Sequence, residues 1–97
     1  MTRIAKYVQM TVKPEFEAEL LEQLGQIRAA AAKEAGTEIW ILHSVRDQPR
    51  TYTMYEIYSD AEATEAHEQL PELVALLPRL PGMLENDFTL VVLDEMQ

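Results

Sequence analysis

The apolar pattern changes its period within TYTMYEIYSDAEATEAHEQL, residues 51–70, and this change constrains the fold more than any other feature. Side chains up to Tyr58 alternate as in a strand, and they include the aromatic and β-branched types that suit a pleated sheet. An Ala- and Glu-rich run follows, in which Ser59 and Glu62 have the spacing of a helical capping box. The stretch therefore predicts a strand over residues 51–58 and a helix that begins at Ser59.

The other segments show the same two periods. Strands are predicted over residues 2–12, 37–45 and 87–94. An apolar stripe with helical spacing predicts a helix from about Pro14 to Glu34, which ends before Gly36. The stripe consists of Phe16, Leu20, Leu24, Ile27 and Ala31. A second helical region continues from Pro71, and further prolines interrupt it.

The predicted element order is β-α-β-β-α-β, with the second helical region divided in two. This order predicts a ferredoxin-like α+β fold, in which helices cover one face of a four-stranded antiparallel sheet. A length of 97 residues predicts one domain over residues 1–97.

Two predicted strands are apolar on both faces, with IWIL at residues 39–42 and LVVL at residues 90–93. An antiparallel sheet with helices on one side normally has a polar, solvated second face. A second copy of the same sheet is the simplest partner for an apolar one. The pattern predicts a homodimer with its sheets packed face to face. The alternative is a short strand with a partly exposed apolar face.

The charge balance excludes several classes of partner. The chain has eight Lys and Arg against 17 Asp and Glu, a net charge of −9, whereas nucleic acid is bound by clustered basic residues. There is no Cys and no Gly-rich phosphate loop, and His43 and His67 do not have the spacing of a metal site. Apolar runs are shorter than the ~20 residues that span a bilayer. We expect a cytoplasmic protein that binds no nucleic acid, membrane, metal or cofactor.

Glu56 and His67 are the candidate catalytic residues. Glu56 lies in the middle of a strand, where a carboxylate beneath helices is costly unless it is paired or protonated. Histidine is the side-chain type whose unperturbed pKa suits general-base catalysis near neutral pH. His67 shares a predicted helix face with Ala63, Ala66 and Leu70, so we expect it to point towards the sheet or the gap beside it and to hydrogen-bond Glu56 or a backbone carbonyl. The alternative is a structural role for both residues.

Several stretches resemble the antibiotic biosynthesis monooxygenase domain family. They are YEIYSDAEATEAH, similar to the family's strand–helix signature, VKPEFEAELLEQL, similar to its first helix, EAGT, which precedes its second strand, and LPGML, similar to a segment of the actinorhodin-pathway member. Glu56 and His67 match the signature, and Tyr58 stands where the family usually has Trp. The resemblance covers nearly the whole chain and implies a dimeric α+β barrel with a pocket between the sheet and the helices of each subunit.

The resemblance also implies a reaction, the oxidation of a small aromatic, quinol-like or polyketide-like molecule by O₂ without a cofactor. His67 would be the base, oriented by Glu56. The pocket would be lined by Tyr58, Met54, Trp40, Leu73 and Leu77.

The chain also departs from the family's pattern. Members that oxidise polyketides line the site with Asn, Trp and Tyr, and the approximate equivalents here are Met54, Tyr58 and Thr64. Haem-degrading members use an Asn, a Trp and a His that this chain does not match, so we expect no haem binding. The missing Asn and Trp favour an alternative function, a non-enzymatic dimer that binds a hydrophobic small molecule or acts as a stress-related module.

Overall fold

A computed structural model of the chain describes residues 2–96. Along the chain lie β1 (Ile4–Thr11), a 3₁₀ turn (Pro14–Phe16), α1 (Glu17–Ala31), β2 (Thr37–Ser44), β3 (Thr51–Tyr58), α2 (Ala61–Glu68), α3 (Pro71–Leu76), α4 (Leu80–Met83) and β4 (Thr89–Asp94). The strands form one antiparallel sheet in the order β2-β3-β1-β4. This arrangement confirms the predicted ferredoxin-like α+β fold.

The core lies between one face of the sheet and the helices. The sheet contributes Val8, Met10 and Met54 to it, and α1 contributes Leu20, Leu24 and Ile27. The apolar stripe predicted for the first helix is therefore the face that the helix buries. The segments around α3 and α4 close the core with Leu76, Leu80, Met83 and Leu84.

Helix α1 is shorter than predicted at both ends. Pro14 opens a 3₁₀ turn rather than the α-helix, which begins at Glu17. Beyond Ala31 the chain tightens, because Lys33 and Glu34 donate to carbonyl groups only three residues back. Glu34 therefore lies in the turn before β2 and not in the helix. Strand β3 has its predicted bounds, whereas β1, β2 and β4 are shorter than predicted.

Helix α2 begins after the predicted position, and Ser59 is not its cap. The cap is Asp60, whose Oδ1 accepts a hydrogen bond from the backbone N–H of Ala63 at 2.9 Å. The backbone N–H of Ser59 is bonded to the carbonyl of Gly36 at 2.9 Å, which ties Ser59 to the turn before β2. The capping-box prediction was therefore wrong by one residue.

The face of the sheet away from the helices carries large apolar side chains at its surface. We call this the outer face, and its exposed apolar residues are Ile41, Tyr55, Val91 and Leu93. Strand β4 is also exposed on the helix side, at Leu90 and Val92. Within residues 2–96, no helix is long and apolar enough to cross a membrane.

Candidate functional site

A cavity of about 160 Å³ lies between the sheet and the helices. This volume is close to the ~150 Å³ of an engineered apolar cavity that holds one benzene molecule. Its walls are mostly apolar side chains, and exposed residues such as Leu77 and Phe88 bring it to the surface. The ionisable side chains in its wall are Lys6, Glu56, His67 and Glu68.

Six of the seven site residues predicted from sequence line this cavity. They are Glu56, His67, Met54, Trp40, Leu73 and Leu77. Tyr58, the seventh, is not among the lining residues; it is fully buried, and its ring packs against His67 of α2. The cavity therefore brings together the candidate acid–base groups and an apolar surface, while Tyr58 supports the wall from behind.

Glu56 is buried, and its partner is Tyr58. The Tyr58 hydroxyl donates a hydrogen bond to Oε1 of Glu56. Burial raises the pKa of Glu56, and the hydrogen bond from Tyr58 and the charges of His67 and Lys6 oppose this only in part. Burial and the neighbouring Glu56 also raise the pKa of Tyr58, which keeps the phenol protonated as a donor.

His67 does not hydrogen-bond Glu56, and that expectation was wrong. Nδ1 of His67 lies 2.8 Å from Oε1 of Glu34. The Tyr58 hydroxyl already bonds to Oε1 of Glu56, and the imidazole packs instead against the Tyr58 ring, with centroids 5.2 Å apart. The His67 side chain is 4% exposed, whereas that of Glu34 is 18% exposed.

Small residues bring α2 against the turn that carries Glu34. A Cβ atom at Gly36 would lie 2.4 Å from Cβ of Ala63, closer than packed carbon atoms allow. The missing side chain at Gly36 therefore permits this contact. Ala63 lies against the turn at Gly36, whereas Ala66, predicted for the same helix face, is exposed. The prediction for Ala66 was wrong, since His67 is the residue that α2 buries.

Sequence analysis missed Glu34 altogether. Glu34 is 33 positions from His67 in sequence and lies in a turn. In a turn, neither the strand period of two nor the helix period of 3.6 indicates which way a side chain points. The pair Gly36 and Ala63 was the available signal, since small residues permit a close approach of two segments.

Lys6 supplies a positive charge at the polar end of the cavity. Its Nζ lies 3.1 Å from Oε2 of Glu68 and 5.6 Å from the centre of the Tyr58 ring. The nearby Trp40 has a buried Nε1 with no hydrogen-bond partner in the described part of the chain. The polar groups are therefore gathered around Glu56 and His67, and the rest of the wall is apolar.

Across residues 2–96, no group of three or more His, Asp and Glu side chains is arranged to hold a metal ion. The expectation that no cofactor binds stays a prediction.

Residues 3–79 match the family model described as antibiotic biosynthesis monooxygenase. The chain belongs to the antibiotic biosynthesis monooxygenase family. The match spans most of the chain, including β1 to α3 with Glu34, Glu56 and His67. It confirms the resemblance that the strand–helix signature indicated. A comparison with curated proteins gave no significant match.

Solved structures of similar proteins have the fold of this antibiotic biosynthesis monooxygenase family member over almost its whole length. A crystal structure of an antibiotic biosynthesis monooxygenase has a TM-score of 0.85 at 19% identity, covering 97% of this chain and 99% of that one. PA3566 from Pseudomonas aeruginosa has a TM-score of 0.87 at 21% identity, covering 100% and 97%. Rv0793 from Mycobacterium tuberculosis has a TM-score of 0.88 at 17% identity, covering 98% and 96%. At these identities the likeness shows the shared fold alone.

Proposed function

We propose that this protein is a cofactor-independent monooxygenase that oxidises a small, electron-rich aromatic molecule, quinol-like or polyketide-like, with O₂. The observation that carries the proposal is an apolar cavity of the size of an aromatic ring with His67 and Glu56 in its wall. Membership of the antibiotic biosynthesis monooxygenase family supports the same reaction class.

Binding would bury one ring of the substrate between the sheet and the helices. Met54 and Trp40 form part of the sheet side, and Leu73 lies on the helix side. A substrate larger than one ring would extend past Leu77 and Phe88, where the cavity reaches the surface. Water is excluded from the buried ring, which strengthens the electrostatic interactions made there.

The reaction begins with proton removal. His67 takes the phenolic proton of the substrate, and the positive charge of Lys6 stabilises the anion. The anion gives one electron to O₂, which leaves a substrate radical and superoxide. The two combine through a new C–O bond at a carbon that still carries a hydrogen atom. The resulting peroxide anion takes the proton back from His67. The hydroperoxide then loses water, together with the hydrogen atom of that carbon, and becomes a carbonyl group, so that one O₂ is consumed for each substrate molecule.

We also infer that the protein works as a homodimer. The outer face bears exposed Ile41, Tyr55, Val91 and Leu93 on neighbouring strands, and an apolar surface of this kind is stabilised by burial. A second copy would cover it without closing the cavity, which lies on the opposite side of the sheet.

The test is O₂ uptake with a panel of quinols and anthrones in chelator-treated buffer. We expect wild-type protein to consume O₂ with at least one of them and His67→Gln to be slower by roughly 10²–10⁴-fold, because glutamine does not accept a proton near neutral pH. His43→Gln is the matched control, since His43 is exposed and does not line the cavity.

Circular dichroism and a melting curve must show that His67→Gln is folded. Unchanged turnover by that variant would remove His67 from the mechanism. Tight binding of the aromatic molecules without O₂ uptake would support the alternative, a non-enzymatic small-molecule-binding protein.

A further inference from the structure

We propose that Glu34 is a positioning residue for His67. Its carboxylate holds the neutral imidazole in the tautomer that carries its proton on Nδ1, and this leaves Nε2 as the acceptor that faces the cavity. The effect of this tautomer on turnover rests on the proposed function. The assignment of the tautomer does not depend on it.

The contacts of Glu34 make it an acceptor. Its Oε1 lies 2.8 Å from Nδ1 of His67 and accepts a second hydrogen bond from the hydroxyl of Thr37 at 3.0 Å. An ionised carboxylate has no proton to donate. The short contact with Nδ1 is therefore satisfied only when the proton is on that nitrogen.

The other ring nitrogen is left for a ligand. Within residues 2–96 the His67 side chain makes its hydrogen bond through Nδ1 alone. In this part of the chain, two buried side-chain polar atoms have no hydrogen-bond partner, and they are Gln23 Oε1 and Trp40 Nε1. Nε2 of His67 also has no partner but is not one of these buried atoms, so it is accessible. Since His67 is nearly buried and lines the cavity, its accessible nitrogen meets the space that a substrate would fill.

The remaining groups around His67 do not replace Glu34. From β3, Tyr58 presents its ring to the imidazole and gives its hydroxyl proton to Glu56. Lys6 on β1 is paired with Glu68 at the end of α2. Glu34 is therefore the carboxylate in direct contact with the imidazole.

Backbone hydrogen bonds hold the turn that carries Glu34 in place. The backbone N–H of Glu34 bonds to the carbonyl of Ala31 at 3.0 Å, and the N–H of Thr37 bonds to the carbonyl of Glu34 at 3.3 Å. The carbonyl of Gly36 also receives the N–H of Ser59, which joins this turn to the end of β3. The orientation of His67 is thus set by a segment far from it in sequence.

The experiment reads the tautomer directly, by ¹⁵N NMR of the His67 ring in substrate-free protein at pH about 8.5, where an ordinary imidazole is neutral. We expect wild-type protein to carry the proton on Nδ1. Glu34→Gln should populate the other tautomer, because the glutamine amide can also donate to Nδ1. Glu22→Gln, an exposed position on α1, is the matched control and should leave the wild-type spectrum unchanged.

Thr37→Val is the second variant, and it keeps the carboxylate while removing the hydroxyl that fixes it. We expect a smaller shift in the same direction. A wild-type ring with its proton on Nε2 would overturn the proposal. A wild-type tautomer retained in folded Glu34→Gln, or in folded Glu34→Ala if Glu34→Gln does not fold, would overturn it as well.

Kinetics separate positioning from a structural role. With a substrate that wild-type protein oxidises, Glu34→Gln should lower kcat by about 10-fold or more at nearly constant KM, since loss of the orienting carboxylate in serine proteases costs about 10⁴-fold through the wrong tautomer. Equal loss of kcat and of folded protein would contradict this. If wild-type protein has its proton on Nδ1 but consumes no O₂, the proposed role of Glu34 stands and only the proposed function is overturned.

Discussion

Glu56 is a carboxyl group that the fold holds out of water beside a phenol. Its side chain is buried on the face of the sheet that the helices cover, and Tyr58 is its hydrogen-bond donor. Burial favours the neutral form of the Glu56 carboxyl group and outweighs the opposing charges of His67 and Lys6. Glu56 can therefore keep a proton at a pH at which an exposed glutamate has lost it, which places an acid beside His67 in one cavity wall.

The raised pKa of Glu56 predicts how stability depends on pH. The folded protein retains the Glu56 proton above the ordinary pKa of 4.5, at which the unfolded chain releases it. The contribution of Glu56 is therefore complete below pH 4.5 and is lost as the pH rises through the higher folded pKa. Glu56→Gln keeps the shape and an acceptor for Tyr58 but does not titrate.

We expect Glu56→Gln to gain free energy of unfolding relative to wild type as the pH rises from 4.5 to about 8. Urea unfolding of both proteins at several pH values measures this difference, in which the titration of all other groups cancels. A difference that stays constant over this range would contradict a raised pKa at Glu56.

At the scale of elements, α2 is held by its first turn and by one close contact. Asp60 caps the helix through the N–H of Ala63, and Ala63 in turn lies against Gly36. Both features act on a helix of eight residues, a length that is only marginally stable by itself. The position of His67 relative to the sheet therefore depends on the start of its helix.

The cap predicts a difference between two neighbouring residues. Asp60→Ala removes the acceptor for the N–H of Ala63 and should lower the free energy of unfolding by about 1 kcal/mol, within a range of roughly 0.5–2 kcal/mol. Ser59→Ala, which removes a hydroxyl that does not cap the helix, should change it by less than about 0.5 kcal/mol. Urea denaturation compares the two, and a larger loss for Ser59→Ala would restore the capping box predicted from sequence.

Two glycines predict opposite effects of the same substitution. Gly36→Ala places a Cβ atom 2.4 Å from Cβ of Ala63 and should destabilise the protein by about 1–3 kcal/mol through overpacking. Gly25→Ala in α1 meets nothing within 4 Å and should stabilise it by about 0.5–1 kcal/mol, since alanine is the better helix former. Thermal unfolding measures both changes. Equal effects would show that the contact between Gly36 and Ala63 is not tight.

The whole molecule has an apolar sheet face that its own helices do not cover. Its exposed residues lie on β2, β3 and β4, on the side away from the cavity. A chain of 97 residues buries only roughly 60–65% of its unfolded surface, so additional apolar burial has a large effect on its stability.

Light scattering tests the dimer inferred from this face. We expect the purified protein to have about twice its 11.1 kDa chain mass at micromolar concentration. Tyr55→Glu on the outer face should weaken the dimer by about 100-fold or more, because an unpaired charge would be buried. Val74→Glu, at an exposed apolar position on α3, is the matched control and should leave the mass unchanged. A clean monomer of wild-type protein would refute the dimeric barrel.

The parts of this molecule that sequence analysis predicted are those with a local cause. Alternation and helical spacing reflect which face is buried, so the order of strands and helices and the core positions Leu20, Leu24 and Ile27 followed from sequence. The family resemblance identified six residues of the cavity wall. Glu34 was not predicted because its contact with His67 depends on the packing of two segments that are distant in sequence. Tyr58 was wrongly assigned to the cavity wall because its position on the strand does not show that other side chains bury it completely.

His67 is the buried residue of α2. The side chain that the helix offers to the cavity is thus also the one that anchors the helix to the rest of the protein. Short helices with few buried side chains open locally at a smaller free energy than the core that they cover. Each such opening would widen the cavity and withdraw the imidazole in the same motion. Under the proposed function, His67 could therefore act as a base only while α2 is closed.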